Sequence, residues 1–342
     1  MTSAGAIRTG LIGFGLSGRV FHEPFLAASP AFALEVVATA NPERQAQVRE
    51  RGDYEIVATP EEVLDRGLDL VILATPPSVH REQGVRALEA GAAVVVDKPF
   101  AASVADAEAL IATAERVGRA LMVFQNRRWD GDFLTVKRIV DSGALGEVFR
   151  FENTFERFAG GGRDRWQDTS TPAEGAGITF DLGSHLVDQA LHLFGPARLM
   201  RAELRTVRQG GASEDDAFLS LEHSSGVTSH VTVSRMAAQS GPRFRVLGSA
   251  GAFSVYGLDP QEAQLAGGML PTADTYGYAP ESAWGLLGGG GADAVREPTE
   301  RGDYPAFYAG VAATVRDGAA PPVDVHNALA TLRILEQAHS LQ

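Results

Sequence analysis

The sequence predicts an α/β chain of two domains: a doubly wound parallel sheet first, then an α+β domain built on a largely antiparallel open sheet. Three observations carry this reading. In the first third, short apolar runs alternate with segments of helical spacing, as in βαβ units on a parallel sheet. After Gln125 the strand candidates alternate apolar and polar residues and few helices separate them, which reads as antiparallel. A G-x-G-x-x-G spacing follows the first apolar run directly.

Taken in order, "IRTGLIGFG", "LEVVATA", "LDLVILATPP", "AAVVVDKP" and "ALMVFQN" read as buried strands. Between them, "SGRVFHEPFLAAS", "PERQAQVRER", "PEEVLDRG", "VHREQGVRALEAG" and "SVADAEALIATAERVG" have helical spacing. Right-handed crossovers then restrict the topology to a doubly wound sheet. The boundary falls around Phe124 to Arg128, giving a dinucleotide-binding domain over 1–125 and a substrate-binding and oligomerisation domain over 126–342. In the second, "EVFRFENTFERF", "RLMRAELRTVR", "DAFLSLEHSSG" and "VTSHVTVSRM" are strands, and "VHNALATLRILEQAHSLQ" is a closing amphipathic helix. The glycine-rich "LLGGGGADAVREPTERGDY" reads as a mobile surface loop.

Composition narrows the function. The 342 residues suffice for two domains, with 44% hydrophobic and 21% charged residues. Thirty lysines and arginines against 43 acids leave a net charge of −13, a poor match for nucleic acid or anionic membranes. The absence of cysteine excludes disulfides and thiolate metal sites and fits a reducing cytoplasm. "MTSAGAIRTG" lacks a signal peptide's apolar core, and no apolar run approaches the roughly 18 residues of a membrane helix. The expected location is cytoplasmic.

The glycine loop has the context a dinucleotide site requires. Gly13 makes the turn, Gly15 lets the backbone approach a pyrophosphate, and Gly18 allows close helix–strand packing, with Phe14, Leu16 and Ser17 completing the loop. The following helix start supplies N–H donors and partial positive charge. The end of the second strand, "VVATANPERQ", should indicate the cofactor. Thr39, Ala40 and Asn41 occupy the place of the acid that usually bonds the NAD ribose, and Arg44 can meet a 2′-phosphate, which favours NADP. The other reading leaves Arg44 solvated and Asn41 on the ribose of NAD.

"VVVDKPF" puts Lys98 at a strand's carboxyl end, where ligands of open α/β sheets bind, and Pro99 keeps it extended. "AGITFDLGSHLVDQALHLFG", if helical, sets Asp181, His185, Asp188 and His192 on one polar stripe between apolar residues. Asp and His one turn apart suit proton transfer. A satisfied buried network and a metal pair are the alternatives, although no third ligand of similar quality is present and no metal is expected.

Together these residues resemble the Gfo/Idh/MocA family, the glucose–fructose oxidoreductase and inositol dehydrogenase group, over essentially the whole chain. The marks are Gly13, Gly15 and Gly18; Thr75 and Pro76; Asp97, Lys98 and Pro99; and Asp181, Gly183, His185 and Asp188. "FHEPF", "NRRWDGDFLTVK", "FERF", "RW" and "FDLGSHLVDQALHLFG" are similar to the NADP-dependent scyllo-inositol dehydrogenase branch. The resemblance implies a Rossmann domain and a second domain whose open sheet makes homodimers or homotetramers. It implies a catalytic Lys98, Asp181 and His185: His185 as general base, Lys98 on the reacting oxygen, Asp181 orienting substrate or lysine. It places Thr75, Pro76, His80 and Asp97 by the nicotinamide or its ribose, allows a cis bond before Pro99, and suggests Arg127, Arg165 and Trp166 as substrate-side residues beside Lys98, Asp181 and His185. Two departures stand out. Asp97 replaces the family's usual Glu, and Gln125 stands where close relatives often carry His.

The expected activity is an NADP-preferring dehydrogenase acting on a secondary alcohol of a cyclic polyol or sugar, with scyllo-inositol the leading substrate. The rivals are an aldose 1-dehydrogenase or keto-sugar reductase using NAD, and a non-catalytic dinucleotide-binding sensor. Intact Lys98, Asp181 and His185 argue against the sensor.

Overall fold

A computed structural model describes residues 5–159, 169–289 and 294–341. Arg165 and Trp166 lie outside these residues. The chain divides into two compact units.

The first unit holds a six-stranded parallel sheet in the order β3-β2-β1-β4-β5-β6. The strands are β1 Ile7–Ile12, β2 Phe32–Ala38, β3 Glu55–Val57, β4 Leu70–Leu73, β5 Ala93–Val96 and β6 Leu121–Val123. β4 and β5 are buried throughout, so they read in sequence as unbroken apolar runs, as expected of parallel strands covered on both faces. Their crossovers include α1 Glu23–Ala28, α2 Pro42–Arg51, α3 Pro60–Leu64, α4 His80–Glu89 and α5 Val104–Val117. Local chemistry sets the helix ends. The Ser103 hydroxyl caps α5 by accepting from Asp106 N, and Gly118 ends it with φ 63°.

The first unit contains more than the residues up to Gln125. Residues 261–276 and 304–328 group with it rather than with the second unit, which departs from the division 1–125 and 126–342 read from the sequence. Packing explains the return. Tyr308, in a helix over Tyr304–Asp317, stacks on Phe25 with centroids 4.8 Å apart and planes 6° apart. Phe307 of the same helix meets Phe124 edge-on at 4.9 Å. These aromatic contacts bury large side chains against α1 and the sheet's last strand, a strong apolar drive.

The second unit is built on an eight-stranded sheet of β7 Val148–Glu156, β8 Ala197–Arg205, β9 Asp216–His223, β10 Thr228–Ser234, β11 Phe244–Gly248, β12 Ala252–Val255, β13 Gly285–Gly288 and β14 Val295–Glu297, in the order β14-β13-β12-β11-β7-β10-β9-β8. β7 Val148–Glu156 and β10 Thr228–Ser234 run parallel, and the other neighbours are antiparallel. β9 Asp216–His223 alternates half-buried and buried residues along its length, with Leu219 and Leu221 fully buried. Two more helices belong to this unit: α6 Gly131–Asp141 and α7 Ser184–Phe194. α7 packs on β7 and β10, where Asn153 donates from Nδ2 to the Leu186 carbonyl at 3.2 Å and to Gln189 Oε1 at 3.1 Å.

The segment read as a mobile loop over 286–303 is partly structured. Gly285–Gly288 and Val295–Glu297 are β13 and β14, paired in register from Gly285 and Glu297 to Leu287 and Val295. The run of glycines that follows Leu287 in the sequence is why composition alone suggested a loop.

Candidate active site

The helix after β1 starts as a π-helical turn over Ser17–His22 before α1 continues it. The three glycines of the loop do different things. Gly13 has φ +98°, and a Cβ there would lie 2.4 Å from the Ala74 carbonyl oxygen. At Gly18 a Cβ would meet the Gly13 carbonyl oxygen at 2.2 Å, so this glycine brings helix and turn into contact. A Cβ on Gly15 would point into open space. That opening, beside a helix start whose cap residue Leu16 makes no side-chain hydrogen bond, fits the close approach of a pyrophosphate. Gly15→Ala should therefore leave unfolding stability within about 1 kcal/mol of the parent and weaken dinucleotide binding roughly tenfold or more. Unfolding curves and a fluorescence titration with NADPH check this, and an unchanged titration would remove Gly15 from the cradle.

At the end of β2, Thr39 is buried while Ala40, Asn41 and Arg44 are exposed. Asn41 caps α2, its Oδ1 accepting from Arg44 N at 3.0 Å. Arg44 thus sits in the helix's first turn with its side chain exposed.

The turns after β4 and β5 are tied together by His80, which is fully buried. Its Nε2 lies 2.8 Å from the Thr75 carbonyl and its Nδ1 3.2 Å from that of Phe100. Burial lowers the His80 pKa, and the carbonyls and Asp97 oppose that shift. Thr75 also donates its hydroxyl to Gln83 Oε1 at 2.8 Å, and Pro76 is exposed beside it. Asp97 is buried and its Oδ1 accepts the backbone N–H of Lys98 at 2.7 Å. The Lys98–Pro99 bond is cis, and Lys98 is half-buried.

In the second unit a second π-helical turn, over Thr179–Gly183, leads into α7. It carries Asp181, half-buried, and α7 carries His185, 3% exposed. The four-residue polar stripe read from spacing does not keep one environment. Asp188 is buried and takes a two-pronged ion pair from Arg128, Nε and Nη2 each 2.7 Å from a carboxylate oxygen. His192 is exposed and lies by the Phe133 ring at 6.1 Å. Asp188 therefore belongs to the satisfied buried network, and among the described residues no group of three His, Asp or Glu could hold a metal ion. Arg127 is also buried, its Nη1 3.2 Å from Asp130 Oδ2 and its guanidinium 5.0 Å over the Phe155 ring. Gln125 is buried.

Sequence reasoning missed two groups here. Arg157, from the "FERF" stretch, places Nη2 3.8 Å from Asp181 Oδ2. The motif was visible, but its partner lies in another element. Glu214 is buried and accepts the Thr179 N–H at 3.0 Å and the Thr179 hydroxyl. The same hydroxyl lies 2.8 Å from His339 Nε2, and Phe180 stacks on the His339 ring at 5.0 Å. Burial lowers the His339 pKa and Glu214 opposes it, so a neutral ring donating from Nε2 satisfies the hydroxyl. Gly177, with φ +107°, makes room: a Cβ there would sit 2.3 Å from Glu214 Oε1. This clamp fixes the start of the turn that bears Asp181.

A six-stranded parallel sheet with a glycine cradle at its first turn is the arrangement of a dinucleotide-binding domain. The profile of the oxidoreductase family with an NAD-binding Rossmann fold matches residues 7–125, and that of the GFO/IDH/MocA C-terminal domain matches residues 133–254. The chain is 38% identical to the oxidoreductase YdgJ of Escherichia coli, over 96% of this chain and 94% of that one. It is 33% identical to scyllo-inositol 2-dehydrogenase (NADP(+)) IolW of Bacillus subtilis, over 97% and 92%. The solved structure of the oxidoreductase YvaA of Bacillus subtilis matches with a TM-score of 0.90 at 32% identity, covering 98% of this chain and 95% of that chain. The protein belongs to the Gfo/Idh/MocA family of NAD(P)-dependent dehydrogenases. No described helix is long and apolar enough to cross a membrane.

Proposed function

We propose that the protein is an NADP-preferring dehydrogenase that interconverts a ring secondary alcohol of a cyclic polyol with its ketone, scyllo-inositol being the leading substrate. The observation that carries this reading is the full-length similarity to an NADP-dependent scyllo-inositol dehydrogenase, with Lys98, Asp181 and His185 all present. The dinucleotide, when bound, supplies the redox chemistry, taking up or returning the alcohol's carbon-bound hydrogen as hydride. The chain's residues manage the oxygen and its proton. His185 takes the hydroxyl proton as general base. Lys98 hydrogen-bonds the oxygen and stabilises the negative charge it develops. Asp181, steadied by Arg157 and by the Glu214–Thr179–His339 clamp, orients the polar groups. The absence of an acid at the end of β2 and the exposed Arg44 in the first turn of α2 support NADP. Copies associate through the eight-stranded sheet in this reading, consistent with exposed Phe149 and Met200 on its strands. The cytoplasm is the proposed location.

The test is absorbance of the reduced nicotinamide with NADP or NAD and a panel of inositols and aldoses. Reduction of NADP by scyllo-inositol is expected; activity on aldoses alone would replace the substrate, and tight NADPH binding without turnover would favour a sensor. In the same assay, Arg44→Ala should weaken NADP roughly tenfold while leaving NAD nearly unchanged. Equal effects on both would take Arg44 out of phosphate recognition.

A further inference from the structure

His22 closes the π-helical turn that follows the glycine loop, and its ring is wholly buried against Phe124, centroids 4.5 Å apart. Its Nδ1 lies 3.0 Å from the Tyr308 hydroxyl oxygen, and that hydroxyl also donates to the Phe21 carbonyl. Its Nε2 has no hydrogen-bond partner among the described residues and faces Asp97, with Oδ2 at 4.0 Å. The other oxygen of Asp97 holds the Lys98 N–H. One ring thus touches the first helix, the helix over Tyr304–Asp317 and the turn after β5, none of which is near another in sequence.

Burial pushes the His22 pKa down to about 4, with the Asp97 carboxylate opposing, so the ring is neutral and carries one proton. A proton on Nδ1 would leave a lone pair facing the carboxylate. A proton on Nε2 points at it instead, and the Tyr308 hydroxyl proton is then shared between the Phe21 carbonyl and Nδ1. The carboxylate therefore selects the Nε2–H tautomer. A separation of 4.0 Å is too long for a hydrogen bond, so an attraction remains but no bond forms. One more methylene would extend the carboxylate by roughly 1.5 Å, enough to close the gap.

We propose that His22 is a positioning residue for the Asp97–Lys98 turn, acting through the Asp97 carboxylate, and that in this chain the link is one methylene short of a direct hydrogen bond. Its effect on turnover rests on the role given to Lys98 above. Its effect on Asp97 does not.

The test compares the full chain with NADP bound, His22→Phe, Asp97→Glu and the double variant. It reads the ring nitrogens of His22 by 15N NMR and measures kcat, KM for scyllo-inositol and the dinucleotide Kd. In the parent, His22 should show a neutral ring protonated on Nε2, and Asp97→Glu should move the Nε2–H proton downfield. His22→Phe should lower kcat roughly tenfold with KM and Kd within about twofold, a split that general loosening of the fold would not give. Asp97→Glu should change kcat by different factors in the two backgrounds, raising it about threefold in the parent and giving no such gain beside His22→Phe. Should His22→Phe fail to fold, Tyr308→Phe takes its place, removing only the hydroxyl at Nδ1; it should shift the Nδ1 signal and weaken the response to Asp97→Glu. A His22 signal that ignores Asp97→Glu, or equal effects of Asp97→Glu on kcat in both backgrounds, overturns the proposal. If the parent oxidises no polyol, the functional reading fails separately, and the NMR arm still decides the link between His22 and Asp97.

Discussion

Asp188→Ala is expected to cost about 3–5 kcal/mol of folding stability, the largest loss of any single replacement considered for this chain. The reason is what it leaves behind. Arg128 is 7% exposed and gives both prongs of its fork to Asp188, so the variant buries a guanidinium without its carboxylate. Removing both charges together, as Arg128→Met with Asp188→Leu, should recover most of the loss, because two apolar groups of similar size need no partner. Denaturant unfolding of the parent, the single variant and the double variant measures this. A loss below about 1 kcal/mol for Asp188→Ala would mean that water reaches Arg128 once its partner is gone.

His185→Ala should lower kcat by roughly 10²–10⁴-fold, the usual contribution of a positioned general base. His185 is buried at the start of α7, directly after the turn that holds Asp181, so its loss also leaves a small cavity. Thermal unfolding and a dinucleotide titration separate the two consequences: the base role requires the fall in kcat while NADP affinity stays near the parent's. A kcat within tenfold of the parent would take the proton from His185 and assign it elsewhere.

What could be read from the sequence was local. β4 and β5 are continuous apolar runs because both faces are buried, and β9 and β10 alternate because one face is. The three glycines were legible because their spacing reflects a backbone requirement within six residues. β3, three residues long, carries too little pattern, and β11 Phe244–Gly248 and β12 Ala252–Val255 are separated by only three residues and interrupted by glycine. Gly248 is there because a Cβ would lie 2.1 Å from the Leu145 carbonyl oxygen, a constraint no local pattern reports.

The candidate site follows the same division. Spacing found Asp181, His185, Asp188 and His192 together and treated them alike. Their environments differ because Asp188 meets Arg128 from sixty residues away and His192 faces solvent. The resemblance puts His80 beside the cofactor; that its ring also holds two turns together, through the Thr75 and Phe100 carbonyls, was not legible from sequence. His22 and Tyr308, 286 residues apart, could not be paired from sequence at all.

The return of residues 261–276 and 304–328 to the first unit has a consequence for how such proteins can be recombined. The Rossmann profile ends at residue 125, which invites a gene fusion cut there to exchange substrate preference between relatives. Such a chimaera would draw Phe25 from one parent and Tyr308 from the other, and the stacked pair was never selected as a mixture. The later half of the chain is inherited with part of the first unit's core attached. A successful exchange has to move three intervals, or leave the later two with their original partner.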